Sequence, residues 1–411
     1  MIKTFIEKLS KKPVYILIFV CLTLFFYKLG CYKLIDVDEP RYAEAAREML
    51  LSKDWITPYF NYVIRLDKPV FFYWLIAICY KIFGINEFAA RFPSALFASS
   101  TVMFLYYFVR KTISKKVALI SAFILASSLE FIVLGRTSIT DMTLSFFIVG
   151  TIMSGYLGSV DDENKRKYWW WFAYLLSGIA VLTKGPVGFV LPAIILGLHF
   201  LLTGQLKENL KPKYIIPGIL IFSAITLPWY VLMIKIHGQY FIDYFILKNN
   251  FQRFSGVNFT EHSKPFYYYL SVILVGFIPW IFSFIPALIK YVKELILGYK
   301  PCENNGEPDE SKCCFIKSKY CICKKIALFK NADDKIKMLL LSNIWFFVVL
   351  IFFSISSAKL ATYVLPLFPA MAILSGLFWH EYMFKGKHKL IINIPIIIFN
   401  AVLIIAGLLF I

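Results

Sequence analysis

Apolar residues in this chain come in blocks of about 17 to 22, the length that crosses a bilayer core, with polar loops between them. That pattern rules out a soluble fold. Of the 411 residues, 59% are hydrophobic and only 17% are charged, too few to cover a water-exposed globule. A transmembrane β-barrel would show short alternating segments instead. The reading is an all-α polytopic membrane protein, a single domain over 1–411. Candidate spans are 13–30, 91–110, 117–134, 142–159, 169–183, 187–203, 214–234, 269–291, 338–355, 363–380 and 390–410. That makes a bundle of about eleven helices.

The loops sort by charge. Arg110 to Lys116, Asp161 to Lys167, Lys207 to Lys213, Tyr291 to Lys337 and Phe384 to Lys389 are rich in lysine and alternate with loops that are not. The positive-inside rule assigns the lysine-rich set, and the N-terminus, to the cytoplasm. The net charge of +19 is thus a topology signal and not a nucleic-acid surface. Met1 to Pro13 carries lysines but no small-residue cleavage site, so the first helix is expected to be retained.

The outer face then holds a long first loop, residues 31–91, and a second, 235–268. Within the first, Arg41 to Ser52 is helix-prone, and Val70 to Phe83 is an apolar-aromatic run too short to span comfortably. An interfacial or re-entrant helix suits it. Read as an extra span, it would put the lysine-rich loops outside. Residues 292–337 form a cytoplasmic loop holding Cys302, Cys313, Cys314, Cys321 and Cys323. Disulfides are unexpected there, and Cys-Cys and Cys-x-Cys are not the usual zinc-ribbon spacing. Cys21, Cys31 and Cys79 lie in or near apolar segments and read as inert.

With this topology the unusual polar residues gather on one side. Asp38, Glu39 and Arg41 open the first loop, and Asp67 and Lys68 close it. Arg136 and Asp141 flank a turn between spans, and Lys184 ends another span. Arg253 lies in the second outer loop, which also contains Glu261, His262 and Lys264, and Lys359 follows a late span. Any one of these charges suits a snorkelling anchor. Their accumulation at one interface suits an anionic headgroup such as a phosphate, held by cations, with a carboxylate as general base toward a hydroxyl acceptor.

Six stretches carry a family resemblance: Asp-Glu-Pro-Arg-Tyr-Ala-Glu at 38–44, Asp-Lys-Pro at 67–69, Leu-Thr-Lys-Gly at 182–185, Gln-Arg-Phe at 252–254, His-Ser-Lys-Pro-Phe-Tyr-Tyr-Tyr at 262–269 and Lys-Leu-Ala-Thr-Tyr-Val-Leu-Pro at 359–366. In this order the chain resembles the GT-C glycosyltransferases of the protein-mannosyltransferase superfamily. It is similar in particular to the bacterial branch typified by transfer of 4-amino-4-deoxy-L-arabinose to lipid A. The likeness runs from Ile35 to about Ser375.

The resemblance implies a sugar donor on a polyprenyl phosphate, such as undecaprenyl phosphate. It implies transfer at the extracytoplasmic face of the bacterial inner membrane to lipid A, a protein or another glycan. Asp38 matches the family's catalytic carboxylate and Asp141 an acid of the same cavity. Lys68 and Arg253 match phosphate contacts, and Lys184 a base of the cavity. Arg41, Tyr42, Lys359 and Tyr363 join them as candidate substrate-binding residues. Asp67 stands where the family has a glutamate and is the candidate metal ligand, with His262 and Glu261 available to complete a site if their loop folds over it. The family's metal-holding histidine falls in Lys248-Asn249-Asn250 here, so no cofactor is assigned and a divalent ion stays open. A transporter or lipid flippase is the alternative reading, although such proteins carry midplane charges and often inverted repeats.

Overall fold

The computed structural model describes residues 12–35, 37–256, 264–297, 329–330 and 332–385. Apart from a two-stranded hairpin, Tyr59–Phe60 paired antiparallel with Val63–Ile64, its regular structure is helical. The chain is an all-α bundle. Among the described residues, five helices are long and apolar enough to cross a bilayer, or seven if each of two bent pairs counts as one span.

The first helix, α1 (Pro13–Cys21), runs on as a π-helical turn to Phe26. The polar loop that follows contains α2 (Asp38–Ser52), the hairpin and α3 (Phe71–Phe83). At 13 residues α3 is about 20 Å long, short of the bilayer core. Then come α4 (Glu87–Thr112), α5 (Lys115–Ala126), α6 (Leu129–Gly135), α7 (Thr140–Val160), α8 (Glu163–Lys184), α9 (Val187–Leu202) and the short α10 (Leu206–Asn209). Side-chain caps set two of these starts: Asn86 accepts from Ala89 N at 2.9 Å, and Ser114 from Val117 N. Helix α7 is buried nearly all round, as a helix at the centre of a bundle should be.

The second half is less regular. Helix α11 (Pro212–Phe241) breaks at Gly238, where φ is +55°, and the backbone continues as a π-helix over Ile242–Gln252. After it come α12 (Tyr268–Gly276), α13 (Ile281–Leu297), α14 (Asp334–Ile355), a 3-10 helix (Ala361–Leu367) and α15 (Phe368–Lys385). The span expected at 390–410 and the five loop cysteines lie outside the described residues.

Two spans read as single helices are broken. The 117–134 block is α5 and α6, bent by 66°, and the 269–291 block is α12 and α13, bent by 119°. Ser127 and Ser128 hydroxyls donate to the Phe123 and Ile124 carbonyls, offering the backbone an alternative to continuing the helix. Pro279 has no N–H to continue the other. The breaks meet: Leu129 N donates to Ile278 O at 3.1 Å and Trp280 Nε1 to Ser127 Oγ at 3.0 Å. Hydropathy sees apolar length and misses both bends, because serine and proline barely lower a window average.

Candidate active site

Helix α2 begins at Asp38 and is pinned by its next residue. Glu39 is 1% exposed and Arg91, on α4, is 0% exposed. They form a two-pronged ion pair, Nε to Oε1 at 2.9 Å and Nη2 to Oε2 at 2.7 Å. Glu39 also accepts from Ile35 N and Ser138 N, while Arg91 donates to the carbonyls of Leu29, Tyr32 and Lys33. Every strong polar group of the pair is thus used, which makes a buried charge pair tolerable. With Glu39 fixed, Asp38 is left exposed on the helix start.

The end of the same loop supplies cations. Arg65 is buried, with its guanidinium 5.2 Å from the Tyr42 ring centroid, 5.6 Å from that of Phe60 and 3.4 Å from Asp67 Oδ2. It lies within electrostatic reach of Asp38. Tyr244, on the π-helical segment, donates to Asp67 Oδ1 at 3.3 Å. Two further contacts fasten the loop to α11: Trp229 Nε1 donates to Ile56 O, and Thr57 Oγ1 lies 2.9 Å from His237 Nε2.

Lys68 stands where four charges converge. Its side chain is partly exposed, but protein closes around the ammonium. That burial, with repulsion from Arg253 and Lys184, lowers its pKa to about 7 against the pull of Asp67 and Asp141. Asp141, in the first turn of α7, takes Lys184 Nζ at 2.5 Å, and both side chains are 11% exposed. Lys184 is the last residue of α8 and also faces the Tyr363 ring at 4.3 Å. Gly185 then turns the chain with φ +90°, and Asn250 packs so close that a Cβ there would lie 2.8 Å from its amide oxygen.

Arg253 opens a short helix, Arg253–Ser255, held from the other side. Its carbonyl accepts from Ala358 N, and the Phe254 carbonyl from Ser357 N. These bonds bring the turn before Lys359 onto the Arg253 segment.

Asp38, Lys68, Asp141, Lys184, Arg253 and Tyr363, chosen from separate parts of the sequence, therefore reach one region. Others behave differently. Lys359 is buried and its ammonium bonds its own turn, at Ser356 O, 2.6 Å away, with burial lowering its pKa. Tyr42 is buried against Phe72 and Tyr73 and supports Arg65 from below. Arg41 is exposed with no ion-pair partner among the described residues. Arg136 donates to the carbonyls of Leu24 and Tyr27 at the end of the first helix, a structural anchor.

Three residues escaped the sequence reading: Arg65, Glu39 in its structural role, and Arg91. Arg91 carried a signal, since an arginine inside an apolar helix needs a buried partner. Arg65 carried none beyond its place beside Asp67.

Among the described residues the donor set does not fit a divalent ion: no group of three or more His, Cys, Asp or Glu could hold one. Asp67 is flanked by Arg65, and Lys248 sits over the Tyr244 ring at 5.0 Å. Glu261 and His262 lie outside the described residues.

The family described as dolichyl-phosphate-mannose-protein mannosyltransferase matches residues 67–232. An uncharacterized protein of Aquifex aeolicus (strain VF5) is 33% identical over 94% of this chain and 67% of its own length. The undecaprenyl phosphate-alpha-4-amino-4-deoxy-L-arabinose arabinosyl transferase of Wigglesworthia glossinidia brevipalpis is 31% identical over 86% of this chain and 56% of its own. The crystal structure of ArnT from Cupriavidus metallidurans bound to undecaprenyl phosphate superposes with a TM-score of 0.72 at 25% identity, over 89% of this chain and 59% of that one. The chain thus spans less than two thirds of both named transferases.

Proposed function

This chain belongs to the protein-mannosyltransferase family of GT-C membrane glycosyltransferases, and from that premise we propose that it moves a sugar from a polyprenyl-phosphate donor to a hydroxyl acceptor. The observation that carries this reading is the convergence of Lys68, Lys184 and Arg253 beside Asp141, in a region whose near neighbour is Asp38.

The chemistry follows from the charges. The acceptor oxygen attacks the anomeric carbon, its proton passes to Asp38, and the bond from that carbon to the phosphate oxygen breaks. Polyprenyl phosphate leaves with the electron pair. Negative charge grows on the phosphate as the bond stretches, so Lys68 and Arg253, aimed there, stabilise the transition state more than the ground state. Asp141 holds the Lys184 ammonium in place at the edge of the cluster. Arg65, between Asp67 and Asp38, keeps two carboxylates close without mutual repulsion. No step needs a metal.

The acceptor side is the extracytoplasmic face of the inner membrane, on the charge asymmetry of the loops. A 4-amino-4-deoxy pentose is the leading sugar, on the relatives' name, and the acceptor is lipid A, a protein or another glycan. The test is release of polyprenyl phosphate from a sugar-labelled polyprenyl-phosphate donor by the purified full chain, with lipid A supplied. Acceptor-dependent release supports the reading. Its absence from folded protein, across several donor sugars and acceptors, overturns it.

A further inference from the structure

At the other end of the bundle from the Asp38 region lies an apolar cavity of about 210 Å³. One wall is a face of α8, with Trp170, Ala173 and Ser177 at three- and four-residue spacing. The facing wall is α9, with Ala193, Gly197 and Phe200, and Asn209 of α10 lies at the lower end. The groove along α9 runs from Phe189 to Phe200, about 17 Å at helical rise. Its rim residues Phe189 and Leu210 are 44% and 53% exposed.

Its upper end is closed toward Lys184. Gly188 lies so near Ala180 that an added Cβ would stand 2.5 Å from the Ala180 carbonyl carbon. Ser177 Oγ bonds Gly188 O across the same contact at 3.3 Å. A chain in the cavity therefore does not descend from the phosphate region above.

The lower end is basic. Arg166, one turn before Trp170, donates weakly through Nη2 to Ser159 O at 3.4 Å, which leaves Nη1 for a head group, while its buried Nε has no hydrogen-bond partner. Lys213 pairs with Glu163, and the Glu163 carboxylate, held below its usual range first by Lys213, also feels Lys211 and Arg166. Lys165, Lys167 and Lys207 are close in sequence, and Lys330 lies over Gly204. The acids of the same stretch are Asp161, taken by Lys111 and Trp169, Glu163, taken by Lys213, and Asp162 and Glu208 nearby in sequence. Asn209 is 3% exposed, and its amide oxygen lacks a donor among the described residues.

We propose that this cavity binds one acyl chain of an anionic phospholipid, with the phosphate held by Arg166 and Lys211. The Asn209 oxygen takes a head-group hydroxyl. A basic pocket between membrane helices is a known form of head-group recognition, and the attraction is worth a charge-dependent preference on top of apolar burial. The closed contact at Gly188 and the basic end together favour a phospholipid over the tail of the sugar donor.

The test uses native mass spectrometry of the full chain with phosphatidylglycerol, phosphatidylcholine or polyprenyl phosphate. One retained phosphatidylglycerol is expected, preferred over phosphatidylcholine by roughly tenfold or more for two basic contacts. Gly197→Leu should abolish the adduct, because a Cβ there meets nothing within 4 Å and the larger side chain fills empty space. Arg166→Gln with Lys211→Gln should leave binding but erase the head-group preference. That pair of charge-removing changes, which keep side-chain bulk, carries the test if Gly197→Leu misfolds. Equal retention of both phospholipids, meaning boundary lipid only, overturns the proposal. So does an adduct unchanged in both variants, or displacement of phosphatidylglycerol by polyprenyl phosphate.

Discussion

Arg91 and Glu39, 52 residues apart in the chain, meet in a two-pronged ion pair that solvent cannot reach. The acid beside Asp38 in the motif is therefore the loop's anchor. The pair joins the start of α2 to the turn at Ser138, which donates to Glu39, and to the Leu29 carbonyl past the first helix, which accepts from Arg91.

Glu39→Ala or Arg91→Ala should each destabilise the protein by about 3–5 kcal/mol, because either leaves a buried charge without its partner. Glu39→Leu combined with Arg91→Met should recover much of that. Thermal melting of the purified variants measures it. Single variants that melt like wild type would remove the anchor from the account.

Asp38→Asn should behave in the opposite way. The residue is exposed, so folding and phosphate binding should hold, while transfer falls about a hundredfold to ten-thousandfold as for a lost general base. A turnover assay beside a melting curve separates the two effects. Near-normal turnover from well-folded Asp38→Asn sinks the role.

Lys68→Ala and Arg253→Ala should each weaken polyprenyl-phosphate binding by about 1.5–3 kcal/mol, the range for hydrogen bonds to charged groups. Titration with the lipid phosphate in nanodiscs reads this directly. Unchanged affinity with a lowered folding yield would make both residues structural.

Donor binding should weaken as pH rises above neutrality. The Lys68 pKa of about 7 describes the free site, and a bound phosphate raises it again. Binding therefore takes up a proton above pH 7. Affinity is full below that value and falls as pH climbs toward the bound-state pKa. The donor is a phosphodiester with no titration of its own in this range, so the slope belongs to the protein. Lys68→Arg should flatten it, since arginine stays charged. A profile equally steep in Lys68→Arg would point to another group.

Transfer should survive exhaustive chelation. Asp67 shares its oxygens with Arg65 and Tyr244, and a hard divalent ion wants several oxygen ligands. The check is activity after chelation, then after adding back zinc, magnesium or manganese. A large loss that one ion restores would contradict this and direct attention to Glu261 and His262.

Much of the architecture was legible because each apolar block is a local property that a bilayer reads directly. The helices at 87–112, 140–160 and 334–355 fall on blocks seen in the sequence. The bends at Ser127–Ser128 and near Pro279 were not legible, since each depends on the other for its hydrogen-bond partners. The candidate site was legible as a list of charges on one side, and Lys68, Asp141, Lys184 and Arg253 do lie within reach of one another.

The sequence by itself determined that this chain is a helical membrane protein and which polar residues stand out from its apolar blocks. Hydropathy and charge alternation need no partner to be read. Only the tertiary structure decided which of those charges turn inward. Successive residues of a helix point about 100° apart, so Asp38 stays exposed while Glu39 is buried by an arginine far along the chain. Likewise Lys184 reaches Asp141 while Lys359 folds back on its own turn. The Glu39 and Lys184 assignments rest on partners tens of residues away, brought near only by packing of the bundle.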